Sequence, residues 1–446
     1  MTDPSPSLDA SQLQVARYVL GGRNVAAVGA AGCGKSTLLA LIVSVARQRW
    51  GPDAVVVLAW AGSAAQLVGG QTVASLLHVS VGDVSKERIL SRILANPQAR
   101  GTIAAARLVV IDEAPTIPGR WFDRLEYVFR RVAAPAMQCR PFGGRVVFAA
   151  GDPLQLPAFK VTDTSTPKGA YMERAWDDTF FSTHGVVVEL VGQHRQAEGD
   201  PLLSILARLR LGVCSDEDVA LLNSTWTDEV EEWSDYQHLR SRGCDAQDYN
   251  QKRLAALDGA TGTFSCRDEV PQPEQTLPVG PHTCSVPDLH LAAASLVTVK
   301  VGARVVCTMS FGAVKTGAHG LVVSFVDGVS VCCKFDGVQE PVDMPFVKFS
   351  VMDDDERELG CRWQVPVLLS WAVTVSRAQG MTIRKVAVDF SCTTWTLDGL
   401  VYAALSRAVS LSCLRVRGLT KEHVKVSQNA LAWYERARSE LVFRGL

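Results

Sequence analysis

A short glycine-rich segment, VGAAGCGKSTLLALIV (28–43), constrains the fold more than any other feature of the chain. Gly29, Gly34, Lys35 and Ser36 fit the pattern G-x-x-x-x-G-K-[ST], which is typical of a phosphate-binding loop. An apolar run precedes the loop, and the residues after it suit a helix, so the segment predicts a strand, a loop and a helix. Kinases, GTPases, transporters and nucleic-acid motors all contain such a loop, and the loop alone does not distinguish them.

Each residue type in the loop has a predicted role. The glycines allow backbone N–H groups to approach the phosphates closely. We expect Lys35 to meet the β and γ phosphates of ATP, and Ser36 to hold Mg²⁺. The predicted nucleotide-binding residues of the loop are Gly29, Gly32, Cys33, Gly34, Lys35, Ser36 and Thr37.

Continuous apolar runs predict the strands of a parallel sheet. NVAAVG, AVVVLAW, ARLVVIDEA and GRVVFAAGD are short runs of the kind found in strands that are buried on both faces. KSTLLALIVSVARQRW and WFDRLEYVFRRV suit the helices between them. The first part of the chain therefore predicts a doubly wound α/β domain, with ligand chemistry at the carboxyl ends of the strands.

The second half of the chain predicts another α/β lobe that is interrupted by a β module. GVVVELV (185–191) and PLLSILARLRLG (201–212) suit a strand and a helix, whereas residues 296–351 read as short strands with Asp-Gly turns. From residue 370 onward, the sequence again suits alternating strands and helices. The predicted domains are 1–183 (first lobe, with a small wedge segment near 80–105), 184–243 (start of the second lobe), 244–368 (inserted β-barrel) and 369–446 (remainder of the second lobe).

Two acidic residues end the predicted strand LVVIDEA. Asp112 is placed to hold the water shell of a metal ion. Glu113 can orient and deprotonate an attacking water. With the phosphate loop about 75 residues upstream, this pair indicates hydrolysis by water rather than transfer to a small-molecule acceptor.

Three further polar residues complete a predicted catalytic set. Gln155, in GDPLQLP, follows a strand and can contact the γ-phosphate. Arg195, in VGQHRQ, follows a strand that we assign to the second lobe, and Arg407 lies in YAALSRA. Arginine stabilises charge on a transferring phosphoryl group. Two arginines supplied from the second lobe would make hydrolysis depend on closure of a cleft, which converts chemistry into motion. The predicted catalytic residues are Lys35, Glu113, Gln155, Arg195 and Arg407.

In this order, the motifs resemble those of the petite-integration-frequency (PIF) family of superfamily-one DNA helicases. The resemblance runs from about Leu8 to Tyr434. It also includes LDASQ (8–12), AGSAAQLVGGQTVASLL (61–77), FDRLE (122–126), PFGG (141–144), VKVGARVV (299–306) and SRAQGMTI (376–383). It implies two RecA-like lobes, with a small SH3-like β-barrel inserted in the second lobe.

The resemblance also implies an activity and further site residues. The expected activity is ATP-dependent, 5′ to 3′ unwinding of duplex DNA, RNA–DNA hybrids or G-quadruplexes in genome maintenance, including repair and recombination. Gln12 is implied as the adenine reader and Gly380 as a further nucleotide contact. Ser36 and Asp112 are the expected Mg²⁺ residues. The expected DNA contacts are Gly62, Thr72, Ser75, His319, Arg377 and Gln379, and the segment KERILSRILANPQAR (86–100) is a candidate for the element that splits the duplex.

Several positions depart from the family pattern, and they put individual DNA contacts in doubt. They are Trp60 and Ala61, Ala74, Pro115 and Thr116, His194, and the triplet Ser376-Arg377-Ala378. None of them removes a predicted phosphate, metal or arginine-finger residue, so an active ATPase is still expected. Trp60 could stack on a base of DNA or pack in the core.

Composition limits the partners and the compartment. The net charge of −1 gives no bulk signal for nucleic acid, so any basic surface must be local. The twelve cysteines are scattered, which is typical of thiols in a reducing compartment such as the nucleus or the mitochondrion. The N-terminal residues resemble neither a signal peptide nor a transit peptide, and no apolar run is long enough for a membrane span. We expect single-stranded and forked DNA as partners, and a monomer or a DNA-induced dimer.

Two other functions stay open at the level of sequence. One is an ATP-gated protein that holds single-stranded DNA without unwinding it, with the altered Ser376-Arg377-Ala378 as the cause. The other is a RecD-like helicase subunit of a larger nuclease complex. No nuclease carboxylate cluster is seen in the sequence, and FDRLE favours the first assignment.

Overall fold

The phosphate loop lies in the first of two units into which the chain divides. This unit contains the residues up to Ser241 and those from Val375 onward, and the second unit is Arg242–Thr374. The computed structural model describes residues 8–79, 84–158, 180–227, 235–269, 293–352, 358–391 and 394–443.

The first part of the first unit alternates helices and strands. In chain order these are α1 (Ala10–Leu20), β1 (Asn24–Gly29), α2 (Lys35–Trp50), β2 (Val55–Ala59), α3 (Gly62–Leu67), β3 (Gln71–Thr72), α4 (Val73–Leu76), α5 (Lys86–Ala95), α6 (Pro97–Ala105), β4 (Leu108–Ile111), α7 (Gly119–Val132), β5 (Val146–Gly151), α8 (Phe180–His184), β6 (Gly185–Leu190), α9 (Pro201–Arg210), α10 (Asp216–Asn223) and β7 (Gln237–Arg240).

Six of these strands form one parallel sheet, which we call the first sheet. Its order is β3-β2-β4-β5-β1-β6, so β5 lies between β4 and β1. Since all the strands run in the same direction, the segments that follow β1, β4, β5 and β6 meet at one edge of the sheet. This edge therefore collects the phosphate loop and the predicted catalytic segments.

Both faces of the first sheet are buried. Val56 and Leu58 of β2 pack into one hydrophobic core, together with α5 and α7. Val55 and Val57 alternate with them and pack into the other core, with α1 and α2. This alternation explains the continuous apolar runs in the sequence, because each face of a doubly covered sheet needs apolar side chains.

The second unit is mostly antiparallel β structure. Its elements are α11 (Gly243–Ala255), β8 (Thr261–Ser265), β9 (Arg267–Glu269), β10 (Leu296–Lys300), β11 (Arg304–Cys307), β12 (His319–Val326), β13 (Ser330–Phe335), β14 (Val342–Pro345), β15 (Val347–Met352), β16 (Glu358–Gln364), β17 (Val367–Leu369) and β18 (Ala372–Thr374). The sheet order β14-β13-β12-β11-β17 confirms the β texture predicted for this region. The SH3-like form of the module stays a prediction.

The last part of the chain completes a second parallel sheet within the first unit. It contributes β19 (Val386–Asp389), α12 (Leu400–Leu405), β20 (Leu414–Arg417) and α13 (Gln428–Phe443). Strand β19 pairs in parallel with both β7 and β20, and we call these three strands the second sheet. No helix in the described ranges is long and apolar enough to cross a membrane.

The structure corrects the predicted boundary between the lobes. Strand β6 was assigned by sequence to the second lobe, which we started at residue 184, but it pairs with β1 along its whole length in the first sheet. A buried parallel strand has the same apolar signature in either sheet, so its sequence does not identify its neighbour.

The candidate wedge segment is two helices rather than one amphipathic run. Asn96 ends α5 and caps α6, and Pro97 occupies the first turn of α6. Ile89, Leu90 and Ile93 of α5 are buried, so this helix packs one face on the first lobe. Residues 80–83 of the predicted wedge lie outside the described residues.

Candidate functional site

The phosphate loop joins the end of β1 to the start of α2. Gly32 and Gly34 have φ angles of 87° and 79°, a left-handed region that favours glycine. A Cβ on Gly34 would lie 2.3 Å from Nε2 of Gln12. No side chain caps the first turn of α2, so its N–H groups are available to an anion.

The side chain of Lys35 is hydrogen-bonded to the backbone of the phosphate loop. Its Nζ donates to the carbonyl oxygens of Gly29 and Ala30, both at 2.8 Å. The buried Cys33 places its Sγ 3.5 Å from the same ammonium group. Ser36 and Thr37 are the next two residues of α2, and both are exposed.

Gln12 is positioned beside the loop by the N-terminus of α1. Its Oε1 accepts from the backbone N–H of Asp9, and Asp9 in turn caps the helix through the N–H of Gln12. The Nε2 of Gln12 donates to the Cys33 carbonyl at 3.3 Å. The predicted adenine reader is therefore buried against the phosphate loop.

Asp112 and Glu113 follow β4 at the same edge of the first sheet. Burial first, and then the negative charge of Glu113, raise the pKa of Asp112 above its usual value of 3.8. A cation bound there would favour the ionised carboxylate. Glu113 has a left-handed backbone (φ 46°), and its carbonyl accepts from both the N–H and the hydroxyl of Thr116. An unusual backbone at a catalytic candidate is consistent with a constrained functional position.

The oxygen donors of Ser36 and Asp112 suit a magnesium ion that is brought by a nucleotide. Mg²⁺ prefers hard oxygen ligands and is commonly bound by one or two side chains together with phosphates and water. Across the described part of the chain, no group of three or more His, Cys, Asp or Glu side chains could hold a metal by itself.

Gln155 and Arg407 meet between the two sheets. Arg407 follows α12 and is buried, and its Nη2 lies 3.4 Å from Oε1 of Gln155. Its guanidinium also donates to the carbonyls of Ala403 and Met381. Burial lowers the pKa of Arg407. The predicted γ-phosphate sensor and the predicted arginine finger are thus brought together.

Arg195 lies in the connection that follows β6, and its side chain extends to the segment that contains Arg407. The prediction that it follows a strand of the second lobe was wrong, since β6 belongs to the first sheet. Its Nη1 donates to the carbonyl of Ser406 at 2.7 Å, next to Arg407. Burial and then the charge of Arg407 lower the pKa of Arg195 to about 10. Because the charge of Arg407 disfavours that of Arg195, an anion beside the two guanidinium groups would be stabilised.

The segment that contains Arg195 also touches the phosphate loop. The backbone N–H of His194 donates to the carbonyl of Gly32 at 2.8 Å, and Gln193 Nε2 donates to that of Ala31 at 3.3 Å. Gln196 Nε2 donates to the carbonyl of Ala408 at 2.6 Å. This connection therefore binds the phosphate loop on one side and the end of α12 on the other.

Sequence reasoning missed a buried network that joins the two sheets. Asp152, at the end of β5, accepts from Nε and Nη2 of Arg210 and from the hydroxyl of Tyr402. Tyr402 Oη itself accepts from the N–H of Ala31, in the phosphate loop. The motifs GDPLQLP and YAALSRA contain Asp152 and Tyr402, but nothing in the sequence singles out Arg210 of α9.

Gln379 does not lie where a DNA contact was expected. It is only 6% exposed, and its Nε2 donates to Oε2 of Glu113 at 3.2 Å. The side chain therefore faces the catalytic candidate, because the turn that carries it packs toward the end of β4. Gly380, predicted to bind nucleotide, follows it with a φ angle of 80°.

The other predicted DNA contacts are distributed over the two units. Gly62, Ser75 and Arg377 are exposed on the first unit, and Thr72 caps α4 by accepting from the N–H of Ser75. His319 lies in the second unit at the start of β12, where burial and then the charge of Arg304 lower its pKa. Trp60 packs against Trp121, with ring centroids 5.7 Å apart, which favours its core assignment.

Comparison with known proteins gives consistent matches. The sequence model of one family, described as PIF1-like helicase, matches residues 8–214. The human ATP-dependent DNA helicase PIF1 is 31% identical over 97% of this chain and 64% of its own length. The Xenopus laevis protein of the same description is 28% identical over 98% of this chain and 65% of its own length. The chain thus spans less than two thirds of the length of these relatives.

Solved structures share the fold. The crystal structure of Pif1 helicase from Candida albicans superposes with a TM-score of 0.83 at 25% identity, covering 96% of this chain and 99% of that chain. The Pif1 helicase from Bacteroides in complex with ADP-AlF3 and ssDNA superposes with a TM-score of 0.77 at 21% identity, covering 97% and 98% of the two chains. The predicted α/β fold is confirmed.

Proposed function

Because residues 8–214 match the sequence model of the PIF1-like helicases, we propose that this chain is an ATP-dependent DNA helicase of that family. One observation carries the proposal beyond family membership. The phosphate loop, Glu113, Gln155 and two arginines converge between two parallel sheets, where Arg407 is bonded to Gln155. A site built from both sheets couples hydrolysis to their relative position.

Each residue has a part in the proposed hydrolysis of ATP. The N–H groups at the start of α2 bind phosphate oxygens, and Lys35 exchanges its loop carbonyls for the β and γ phosphates. Ser36 and Asp112 would hold Mg²⁺, which would neutralise the charge that develops on the phosphate oxygens. Glu113 orients the attacking water and accepts its proton. Arg195 and Arg407 stabilise charge on the transferring phosphoryl group.

We propose that single-stranded DNA is the track on which this motor moves, in the 5′ to 3′ direction. Support comes from the resemblance of its motifs to the family and from a Bacteroides relative described in complex with ssDNA. Another related structure is described as showing unwinding of forked dsDNA by two coordinating Pif1 helicases. Forked duplexes are therefore the first substrates to test, and RNA–DNA hybrids and G-quadruplexes are the next.

The test is unwinding of partial duplexes that carry either a 5′ or a 3′ single-stranded tail, with ATP and Mg²⁺. We expect opening of the 5′-tailed duplex only, and no opening by Lys35→Ala. Opening of the 3′-tailed duplex alone would contradict the proposed direction. Intact ATP hydrolysis and DNA binding without any opening would instead favour an ATP-gated binding protein.

A further inference from the structure

The turn at 376–381 presents two different sides. The N–H of Gln379 bonds to the Ser376 carbonyl, and the N–H of Met381 bonds to the Ala378 carbonyl at 3.1 Å. Arg377 is exposed, whereas Ala378 and Gln379 are buried. Because the two sides are linked by only one or two peptide units, a displacement of Arg377 would also move Gln379.

Glu113 is held at both of its ends. Thr116 binds the backbone carbonyl through its N–H at 2.9 Å and through its hydroxyl at 2.7 Å. At the other end, Gln379 Nε2 donates to Oε2 of the carboxylate at 3.2 Å. A carboxylate that activates water must accept a hydrogen bond from that water. The amide of Gln379 therefore occupies an oxygen that the reaction can use.

We propose that Gln379 is a positioning residue that restrains Glu113 until single-stranded DNA binds at the turn that carries it. This inference rests on the proposed function. A DNA phosphate bound at Arg377 shifts the turn, and the Gln379 amide leaves Glu113. The carboxylate is then free to orient the attacking water, so that ATP hydrolysis becomes coupled to the presence of DNA.

Burial of Gln379 connects this proposal with its predicted role as a DNA contact. At 6% exposure, the amide cannot meet a DNA strand while it is bonded to Glu113. The two contacts therefore exclude each other. A residue that must leave Glu113 before it can meet DNA would act as a two-state element whose equilibrium the DNA changes.

The experiment measures ATP turnover of the full chain with and without a saturating single-stranded oligonucleotide. The variants are Gln379→Ala, which removes the amide, and Gln379→Asn, which keeps an amide one methylene shorter. We expect the DNA-free kcat to rise about tenfold in both, the lower end of what a hydrogen bond to a charged group contributes. The DNA-saturated kcat stays close to that of the wild type, so stimulation by DNA decreases.

Gln251→Ala is the matched control, because Gln251 is an exposed glutamine on α11. A thermal melt of each variant verifies folding. A DNA-free kcat equal to or below the wild-type value in both folded variants would overturn the inference and leave the proposed function standing. Absence of any stimulation by DNA in the wild type would count against both.

Discussion

Tyr402 and Ala31 join the second sheet to the phosphate loop. The N–H of Ala31 donates to Tyr402 Oη at 2.8 Å, and the same hydroxyl donates to Asp152 at 3.1 Å. Burial, and then the nearby Asp152 carboxylate, raise the pKa of Tyr402, so the phenol stays protonated and can make both bonds.

Tyr402→Phe removes only this hydroxyl. It leaves the buried N–H of Ala31 without its acceptor, and an unsatisfied buried group costs about 1–3 kcal/mol. We expect the free energy of unfolding to fall by that amount in denaturant titration. Tyr18→Phe, which removes a more exposed hydroxyl bonded to Gln14, is the control and should change stability much less. Equal effects in the two variants would contradict the linking role of Tyr402.

Asp152→Asn tests the ion pair between the sheets. The Arg210 and Asp152 side chains are 8% and 0% exposed, and removal of the charge leaves the guanidinium buried without a counter-ion. Breaking a buried pair in this way costs about 3–5 kcal/mol. The control is Asp235→Asn, whose pair with Lys385 is 73% and 48% exposed and should contribute at most about 1 kcal/mol. A loss of stability as small as that of the control would show that the Asp152–Arg210 pair does not stabilise the fold.

The same pair predicts a pH dependence of stability. Burial alone would raise the pKa of Asp152, but the charge and hydrogen bonds of Arg210 outweigh burial and hold the pKa below its usual value of 3.8. A carboxyl with a lowered pKa stabilises the fold above its unfolded pKa, and this contribution is lost as the pH falls through the folded value. The stability difference between wild type and Asp152→Asn should therefore stay constant from about pH 8 to about pH 5 and decrease below about pH 4. A difference that already decreases near neutral pH would mean that burial dominates.

Glu113→Gln separates ATP binding from hydrolysis. The amide keeps the size of the side chain but cannot take a proton from water, so we expect kcat to fall by about 10²–10⁴-fold. ATP affinity, measured by equilibrium binding of a fluorescent analogue, should change little. Lys35→Ala is the contrasting variant and should abolish hydrolysis. Normal turnover by Glu113→Gln would remove the water-activating role from this residue.

Arg407→Ala tests the arginine finger. The guanidinium lies beside Gln155 and would meet the transferring phosphoryl group, so its loss should lower kcat by about 10³-fold or more while ATP still binds. Arg407→Lys should restore little activity, because an ammonium group lacks the planar, multiple donors of a guanidinium. Arg23→Ala, an exposed arginine before β1, serves as the control. If Arg407→Ala hydrolysed ATP at the control rate, the finger assignment would be wrong.

Local patterns predicted much of the fold and several parts of the site. Helix α2 spans the residues quoted from the sequence, Lys35–Trp50, and β1, β2, β4 and β5 lie within the predicted apolar runs. Lys35, Glu113 and Gln155 were identified because each follows such a run closely, and Arg407 because it lies in the motif YAALSRA. Periodicity and end signals depend on neighbours in the chain, so the sequence records them directly.

Long-range pairing accounts for what the sequence did not predict. The place of β6 in the first sheet depends on which strand it pairs with, and its own residues do not encode that. Gln379 faces Glu113 rather than solvent because a turn 266 residues away packs against the end of β4. Arg210 looks like any arginine in the last turn of a helix until its partner Asp152, 58 residues away, is known.

Arg195 lies on the connection by which the chain leaves the first sheet for α9, whereas Arg407 is carried by the second sheet's own helix region. The two proposed arginine fingers are therefore unequal with respect to any rotation of one sheet relative to the other. A residue near a hinge moves little, while one far from the hinge moves through a large arc. Under the proposed function, Arg195 would therefore stay close to the phosphate loop, whereas Arg407 would approach and leave it as the two sheets move.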